Sequence, residues 1–149
     1  MLTAEKVLST VRSTAEKVCN DETAIVGTMS LGDVVRHGDL YVIAVGSIPT
    51  GAKPTKDRQL VPGDTQGSRH TLLGECSVFT VDADQVMEAL YKVYGHKLTL
   101  FPQLIGPMFR CVQLVELDHP EHGNRILPAG CYATVYQRVF ADEIRRVQD

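Results

Sequence analysis

Alternating apolar and polar positions divide most of the chain into short segments that are typical of β-strands. In the clearest of them, 39–49 (DLYVIAVGSIP), both alternating sets of positions are apolar from Leu40 to Val45. A strand with two apolar faces is buried on both sides, so this segment is predicted to lie at the centre of a sheet. Further strands are predicted within 70–81, 108–117 and 130–140.

Two other segments have the three-and-four spacing of an amphipathic helix. The segment 82–95 is bracketed by a capping aspartate, Asp82 or Asp84, and by a terminal glycine, Gly95. The segment 3–18 follows a suitable capping residue and carries an apolar stripe. The members of that stripe are Val7, Leu8, Val11, Ala15 and Val18.

These segments predict a mainly β domain, an antiparallel sandwich or small barrel, with an N-terminal helix and one inserted helix. Strands and helices do not alternate regularly, which disfavours a doubly wound parallel sheet. We expect residues 1–30 to form the N-terminal helix and its link, and residues 31–149 to form a single β-rich domain. Because the link is longer than usual, the helix is predicted to pack against another subunit or to cap the sheet. The protein is predicted to be a homo-oligomer, most simply a dimer.

Composition and charge exclude several classes of protein. The formal net charge is -3 and the basic residues do not cluster, so no nucleic-acid partner is expected. No apolar run reaches the roughly 18 residues of a membrane span. The charged N-terminus lacks the apolar core of a signal peptide, which predicts a cytoplasmic protein. The cysteines form no C-x-x-C pair and are expected to be free thiols: Cys19, Cys76, Cys111 and Cys131.

Three histidines and one glutamate are the candidate metal ligands. His119 and Glu121 face the same way in an extended backbone, and His122 joins them if the chain turns at Pro120. Together with His70 from an earlier loop, they match either a two-histidine, one-carboxylate site or a three-histidine zinc site. The alternative is a polar turn that binds no metal, since Pro-Glu-His-Gly-Asn is strong turn chemistry. The predicted cofactor is therefore none or one divalent metal ion.

Three further residues are candidates for binding a small anion such as a carboxylate or a phosphate. They are Arg69, in the loop that contains the first metal-ligand candidate, and the pair Gln137 and Arg138 in the last strand. Their alternative role is an ordinary surface ion pair. Two histidines are assigned no role: His37, in the predicted turn RHGD, and His96, after the second helix.

Four stretches of the chain resemble a family of small uncharacterised proteins of bacteria and their phages. They are GDLYVIAVGSIPTGAKP, LVPGDTQGSRHTL, LDHPEHGNRILPAGCYATVYQRVF and RRVQD. The shared pattern is a Gly-x-x-His loop, a His-x-Glu-His turn and a Gln-Arg pair in the C-terminal strand. The chain departs from it at Ser68 and at 139–140, where the family has a histidine and Glu-Tyr. The resemblance implies no particular activity, and it implies one spatial cluster of His70, His119, Glu121 and His122.

Three functions are compatible with these features. The first is an accessory or binding protein without catalysis, of the phage or mobile-element kind that the resemblance implies. The second is a small metal-dependent enzyme that acts on an anionic small molecule and is similar to cupins, but only at the level of fold. The third is a regulatory domain that binds an anion or a nucleotide. Whether the chain is an enzyme stays open, but the cluster predicts contact between His70 and at least one of His119, Glu121 and His122.

Overall fold

The computed structural model of the protein describes residues 24–60, 70–119 and 123–136, and this part of the chain is mainly β, as the strand patterns predict. One helix, α1 (Ala83–Tyr94), and a 3-10 turn (Pro102–Leu104) lie between the sixth and seventh strands. In chain order the strands are β1 (Ala24–Ile25), β2 (Val34–His37), β3 (Leu40–Val45), β4 (Lys53–Thr55), β5 (Thr71–Leu73), β6 (Ser77–Thr80), β7 (Met108–Cys111), β8 (Val115–Asp118), β9 (Arg125–Leu127) and β10 (Gly130–Tyr136).

The strands form two sheets that face each other. The smaller sheet has the order β1-β9-β8-β5, and the larger has the order β2-β3-β10-β7-β6-β4. Of the described strand pairs, all but β1–β9 are antiparallel. Leu72 and Leu117 of the smaller sheet pack in one apolar cluster with Leu40 and Phe109 of the larger sheet. The predicted mainly antiparallel sandwich is therefore confirmed.

The centre of the larger sheet is buried on both of its faces, which explains the apolar segment found there. All six residues of β3 are buried, and the strand pairs with β2 on one side and β10 on the other. Leu40 and Val42 point into the sandwich, whereas Tyr41 and Ile43 pack with α1 in a second apolar cluster. The prediction of a central strand is confirmed, and the molecule has three layers: sheet, sheet and helix.

Helix α1 begins and ends at the residues that the sequence indicates. The Asp82 carboxylate accepts a hydrogen bond from the backbone N–H of Gln85 (2.8 Å), and the Gln85 side chain accepts one from the N–H of Asp82 (2.9 Å). This reciprocal pair is a capping box. Gly95 ends the helix in the left-handed conformation with φ of 81°. Val86 and Leu90 are fully buried against the larger sheet.

One rim of the sandwich brings together strand ends from both sheets. In the larger sheet, β2 and β10 end where β3 begins, because His37 and Tyr136 both lie opposite Leu40. In the smaller sheet, β8 ends where β5 begins, with Thr71 opposite Asp118. Side chains at these ends, and in the loops that follow, meet between the two sheets.

Three further sequence predictions concern the N-terminal helix, membrane-spanning segments and the cysteines. The predicted helix 3–18 lies outside the described residues, and β1 joins the edge of the smaller sheet beside β9. No helix in the described ranges is long and apolar enough to cross a membrane. Cys76, Cys111 and Cys131 are free thiols, as predicted.

Candidate functional site

Three buried histidines occupy the rim between the two sheets. His37 is the last residue of β2, His70 comes directly before β5, and His119 comes directly after β8. His37 and His70 are fully buried, and His119 is 6% exposed. Buried polar side chains are retained only where hydrogen bonds or charges compensate for lost hydration, so the contacts of these rings identify what the cluster can do.

A chain of hydrogen bonds crosses from one sheet to the other through His37 and His70. Nε2 of His70 lies 2.9 Å from Oδ1 of Asp39, and Nδ1 of His70 lies 2.9 Å from Nδ1 of His37. Nε2 of His37 lies 2.7 Å from the carbonyl oxygen of Gly123. Asp39 lies in the turn between β2 and β3, so Asp39 and His37 both belong to the larger sheet. His70 and Gly123 lie next to strands of the smaller sheet.

The oxygen partners fix the tautomers of both rings. Carbonyl and carboxylate oxygens only accept hydrogen bonds, so Nε2 of His37 and Nε2 of His70 each carry a hydrogen. In their neutral forms both rings therefore have the lone pair on Nδ1, and the two Nδ1 atoms face each other at 2.9 Å. Two lone pairs at this distance repel unless a proton lies between them or both nitrogens bind one metal ion that lies to the side of the line joining them.

A proton between the two Nδ1 atoms would have to be carried by one of the two rings. Burial lowers the pKa of His37 to about 4, and the positive charges of His70 and Arg125 add to this effect. His37 is therefore neutral and accepts a hydrogen bond from Nδ1 of His70. A His70 ring that carried the proton would donate from both nitrogens, and the Asp39 carboxylate, 2.9 Å from Nε2, would supply the opposite charge.

His119 packs directly against this pair of rings. Its ring centroid lies 4.5 Å from that of His70 and 5.8 Å from that of His37. The predicted contact between His70 and His119 is therefore confirmed. Arg125, at the start of β9, is 8% exposed and close enough to affect the pKa of His37.

Tyr136, the last residue of β10, lies beside the histidine cluster. Its side chain is 3% exposed and its ring lies 6.2 Å from the His70 ring. Burial, and then the charge of Asp39, raise the pKa of Tyr136 above its ordinary value. The phenol is consequently neutral, and its hydroxyl is a hydrogen-bond donor within the site.

The structure joins some of the predicted site residues and does not describe the others. His70 and His119 lie together, whereas Glu121 and His122 fall outside the described residues, so their role as ligands stays a prediction. The same is true of the anion-binding candidates Arg69, Gln137 and Arg138. Within the described ranges, no group of three or more His, Cys, Asp or Glu side chains is arranged to hold a metal ion.

Sequence reasoning missed His37 and Asp39. The sequence predicts a turn at His37, but His37 is the last residue of β2. It lies on the same inward face of the strand as Val35, and both residues are buried. A histidine two positions after a buried valine, and three before a fully apolar strand, was the signal that could have found it. Asp39 remains in the turn, with 43% of its side chain exposed.

Comparison with known proteins places this rim inside a recognised domain. A family model described as a domain of unknown function (DUF8820) matches residues 36–137. The matched range starts one residue before His37 and ends one residue after Tyr136, so it includes every described residue of the cluster. No curated protein matches the chain, and no solved structure does so.

Proposed function

Since the chain belongs to the family of the domain of unknown function DUF8820, we propose a function from the rim itself: the domain binds one divalent transition-metal ion between His37 and His70. The observation that carries this proposal is the pair of Nδ1 atoms that face each other at 2.9 Å. The metal ion takes the place of the proton that the two rings otherwise share.

The outer contacts of both rings support this assignment. A metal-binding histidine usually donates its second ring N–H to a carboxylate or to a backbone carbonyl, which fixes the tautomer and orients the ring. His70 has the carboxylate of Asp39 in this role, and His37 has the carbonyl of Gly123. Both rings are thus held so that Nδ1, the nitrogen that could bind a metal, lies 2.9 Å from Nδ1 of the other ring.

The spacing of the two nitrogens also suits a metal ion. Ligand nitrogens lie about 2.0–2.1 Å from a first-row metal such as zinc. Two nitrogens 2.9 Å apart at that distance from the metal subtend an angle of about 90° at it. An angle of this size is compatible with neighbouring ligands of one metal ion, and binding of a metal would need only a small movement of the two rings.

The remaining protein ligands come from the segment that the sequence singles out. His119 packs on His70 at one end of this segment, and the carbonyl of Gly123 holds His37 at the other end. The intervening residues are Pro120, Glu121 and His122, so the chain is tethered to the rim on both sides of them. Glu121 would complete a two-histidine, one-carboxylate set, which leaves positions open for an external ligand.

Elemental analysis of protein that carries no polyhistidine tag tests the proposal. We expect the wild-type chain, purified without oxygen and without chelators, to hold one metal ion per chain. His37→Gln and His70→Gln should each abolish this content. His96→Gln is the matched control, because His96 follows α1 and lies outside the cluster, and it should retain the ion. A wild-type metal content no higher than that of His37→Gln would overturn the proposal.

A second function follows if the proton stays between the rings. The series of hydrogen bonds from Asp39 through His70 and His37 to Gly123 then links the two sheets. In this case the domain is a non-catalytic accessory or binding protein. Nitrogen NMR separates the two functions, since a shared proton gives Nδ1 signals coupled to a strongly deshielded hydrogen. In the metal-bound protein that hydrogen signal is absent.

A further inference from the structure

Two cysteines lie side by side on the inner face of the larger sheet. Strands β6 and β7 are antiparallel, and Ser77 lies opposite Arg110. One further step in this register places Cys76, the residue before β6, opposite Cys111, the last residue of β7. Residues that lie opposite each other in an antiparallel pair point to the same face of the sheet. Both cysteines accordingly pack in the apolar cluster between the two sheets.

This register brings the two cysteines to the spacing of a disulfide. Opposed residues of antiparallel strands have Cα atoms about 4.5 or 5.5 Å apart, and the Cα atoms of a disulfide are usually about 4.4–6.8 Å apart. Burial is the main cause that raises the pKa of Cys111, and negative charge on Cys76 or Cys131 adds to it, so both neighbours are close. Cys131 lies opposite Arg110 and packs on the helix side of the sheet. Only Cys76 therefore shares a face with Cys111.

The two thiols differ in access and in their surroundings. Cys76 is partly exposed, and Nη1 of Arg58 donates to its carbonyl oxygen at 2.6 Å and lies 2.7 Å from its Sγ. Burial raises the pKa of the Cys76 thiol, and the charge and hydrogen bond of Arg58 oppose this effect by favouring the thiolate, which is the nucleophilic form. Cys111 is 3% exposed, and its thiol donates to the carbonyls of Pro128 (3.6 Å) and Gly130 (3.7 Å). A molecule that approaches from solvent thus meets Cys76 first.

We propose that Cys76 and Cys111 form a thiol–disulfide exchange site that reacts with low-molecular-weight disulfides. The Cys76 thiolate attacks one sulfur of the incoming disulfide, whose S–S bond breaks and releases one thiolate. The Cys111 thiol then loses its proton to solvent and attacks Sγ of Cys76, which releases the second thiolate. The two protein thiols lose two protons and two electrons in total. The incoming disulfide gains them and leaves as two thiols.

This site is separate from the histidine rim and needs no metal ion. Strand β10 runs from Gly130, opposite Cys111, to Tyr136 beside the histidines, so the two sites lie at opposite ends of the sandwich. The exchange site therefore goes beyond the proposed function, and it stands or falls independently of metal binding.

Peptide mapping of the full chain after incubation with oxidised glutathione tests this assignment. The remaining thiols are trapped with iodoacetamide before digestion. Trypsin cleaves after Lys92 and Arg110, so Cys76 and Cys111 fall on different peptides. We expect mass spectrometry to find these two peptides joined, with two hydrogen atoms lost and no glutathione attached. Cys131→Ser is the matched control and should retain the cross-link.

Two variants test the order of the steps. Cys111→Ser should stop at the mixed disulfide, with glutathione retained on Cys76. Arg58→Gln should slow the reaction of Cys76 with oxidised glutathione by at least about threefold, because the neighbouring charge that favours the thiolate is lost. Arg36→Gln, in which the lost side chain bonds only to the carbonyl of Gly38 among the described residues, is the control for that rate.

The wild-type peptide map decides the proposal even if Cys111→Ser does not fold. Glutathione that stays on Cys76 of the wild type, a cross-link from either cysteine to a different cysteine, or the absence of any reaction would each overturn it.

Discussion

His37 and His70 lie 33 positions apart in the chain, and their Nδ1 atoms face each other at 2.9 Å. Nε2 of each ring donates a hydrogen bond to an oxygen: the Asp39 carboxylate for His70 and the Gly123 carbonyl for His37. The two Nδ1 atoms are thereby held at hydrogen-bond distance from each other. The candidate site is defined by this relationship.

The carboxylate of Asp39 is expected to control metal affinity without binding the metal. Asp39→Asn keeps the size of the side chain but removes the charge that favours the N–H of His70. Loss of such an outer partner typically lowers metal affinity by about 10- to 100-fold. Competition with a chromophoric chelator measures the change. Asp84→Asn, on the exposed face of α1, is the control, and equal losses in both variants would show that the effect is not specific to Asp39.

The helix layer is expected to stabilise the fold independently of the site. Leu90 is fully buried between α1 and the larger sheet, so Leu90→Ala should lower the free energy of unfolding by about 2–5 kcal/mol. Tyr91→Ala, at the neighbouring position with 48% of the residue exposed, should cost much less. Urea denaturation measures both. Similar losses in the two variants would contradict the assignment of the buried face of α1.

Alkaline pH is expected to destabilise the fold through Tyr94. Burial raises the pKa of Tyr94 to about 12, compared with 10.0 for an ordinary tyrosine. The folded state holds this proton more tightly, so its contribution to stability is complete below pH 10 and is lost as the pH rises towards 12. Denaturant midpoints measured across this window should fall less steeply for Tyr94→Phe than for the wild type. Tyr91→Phe serves as the exposed control, and an unchanged slope in Tyr94→Phe would contradict the prediction.

Association into a homodimer stays a prediction, and the smaller sheet is where it should occur. Its outer face presents Ile25 (70% exposed) and Leu73 (44% exposed), and no described element covers them. Light scattering should return twice the chain mass of 16.4 kDa, and Ile25→Lys should shift the equilibrium towards the monomer. Leu31→Lys, also at an exposed apolar position, is the control. A wild-type monomer at high protein concentration would contradict the dimer.

The local pattern of the sequence by itself determined the main elements of the fold. The two apolar faces of β3 predict a strand covered on both sides, because every residue on a buried strand loses contact with water. Asp82 and Gly95 predict the bounds of α1, since capping depends only on residues within one turn. The expectation that polar residues at strand ends gather at one rim placed His70 beside His119.

Only the tertiary structure decided which partners these residues meet. The pairing order β2-β3-β10 and the stacking of that sheet on β5 and β8 bring His37 and Asp39 to His70. Hydrophobic periodicity reports which face of a segment is buried and carries no information about which distant strand lies opposite. A histidine whose role depends on a nitrogen 33 positions away therefore looks like an ordinary turn residue until the two sheets are packed together.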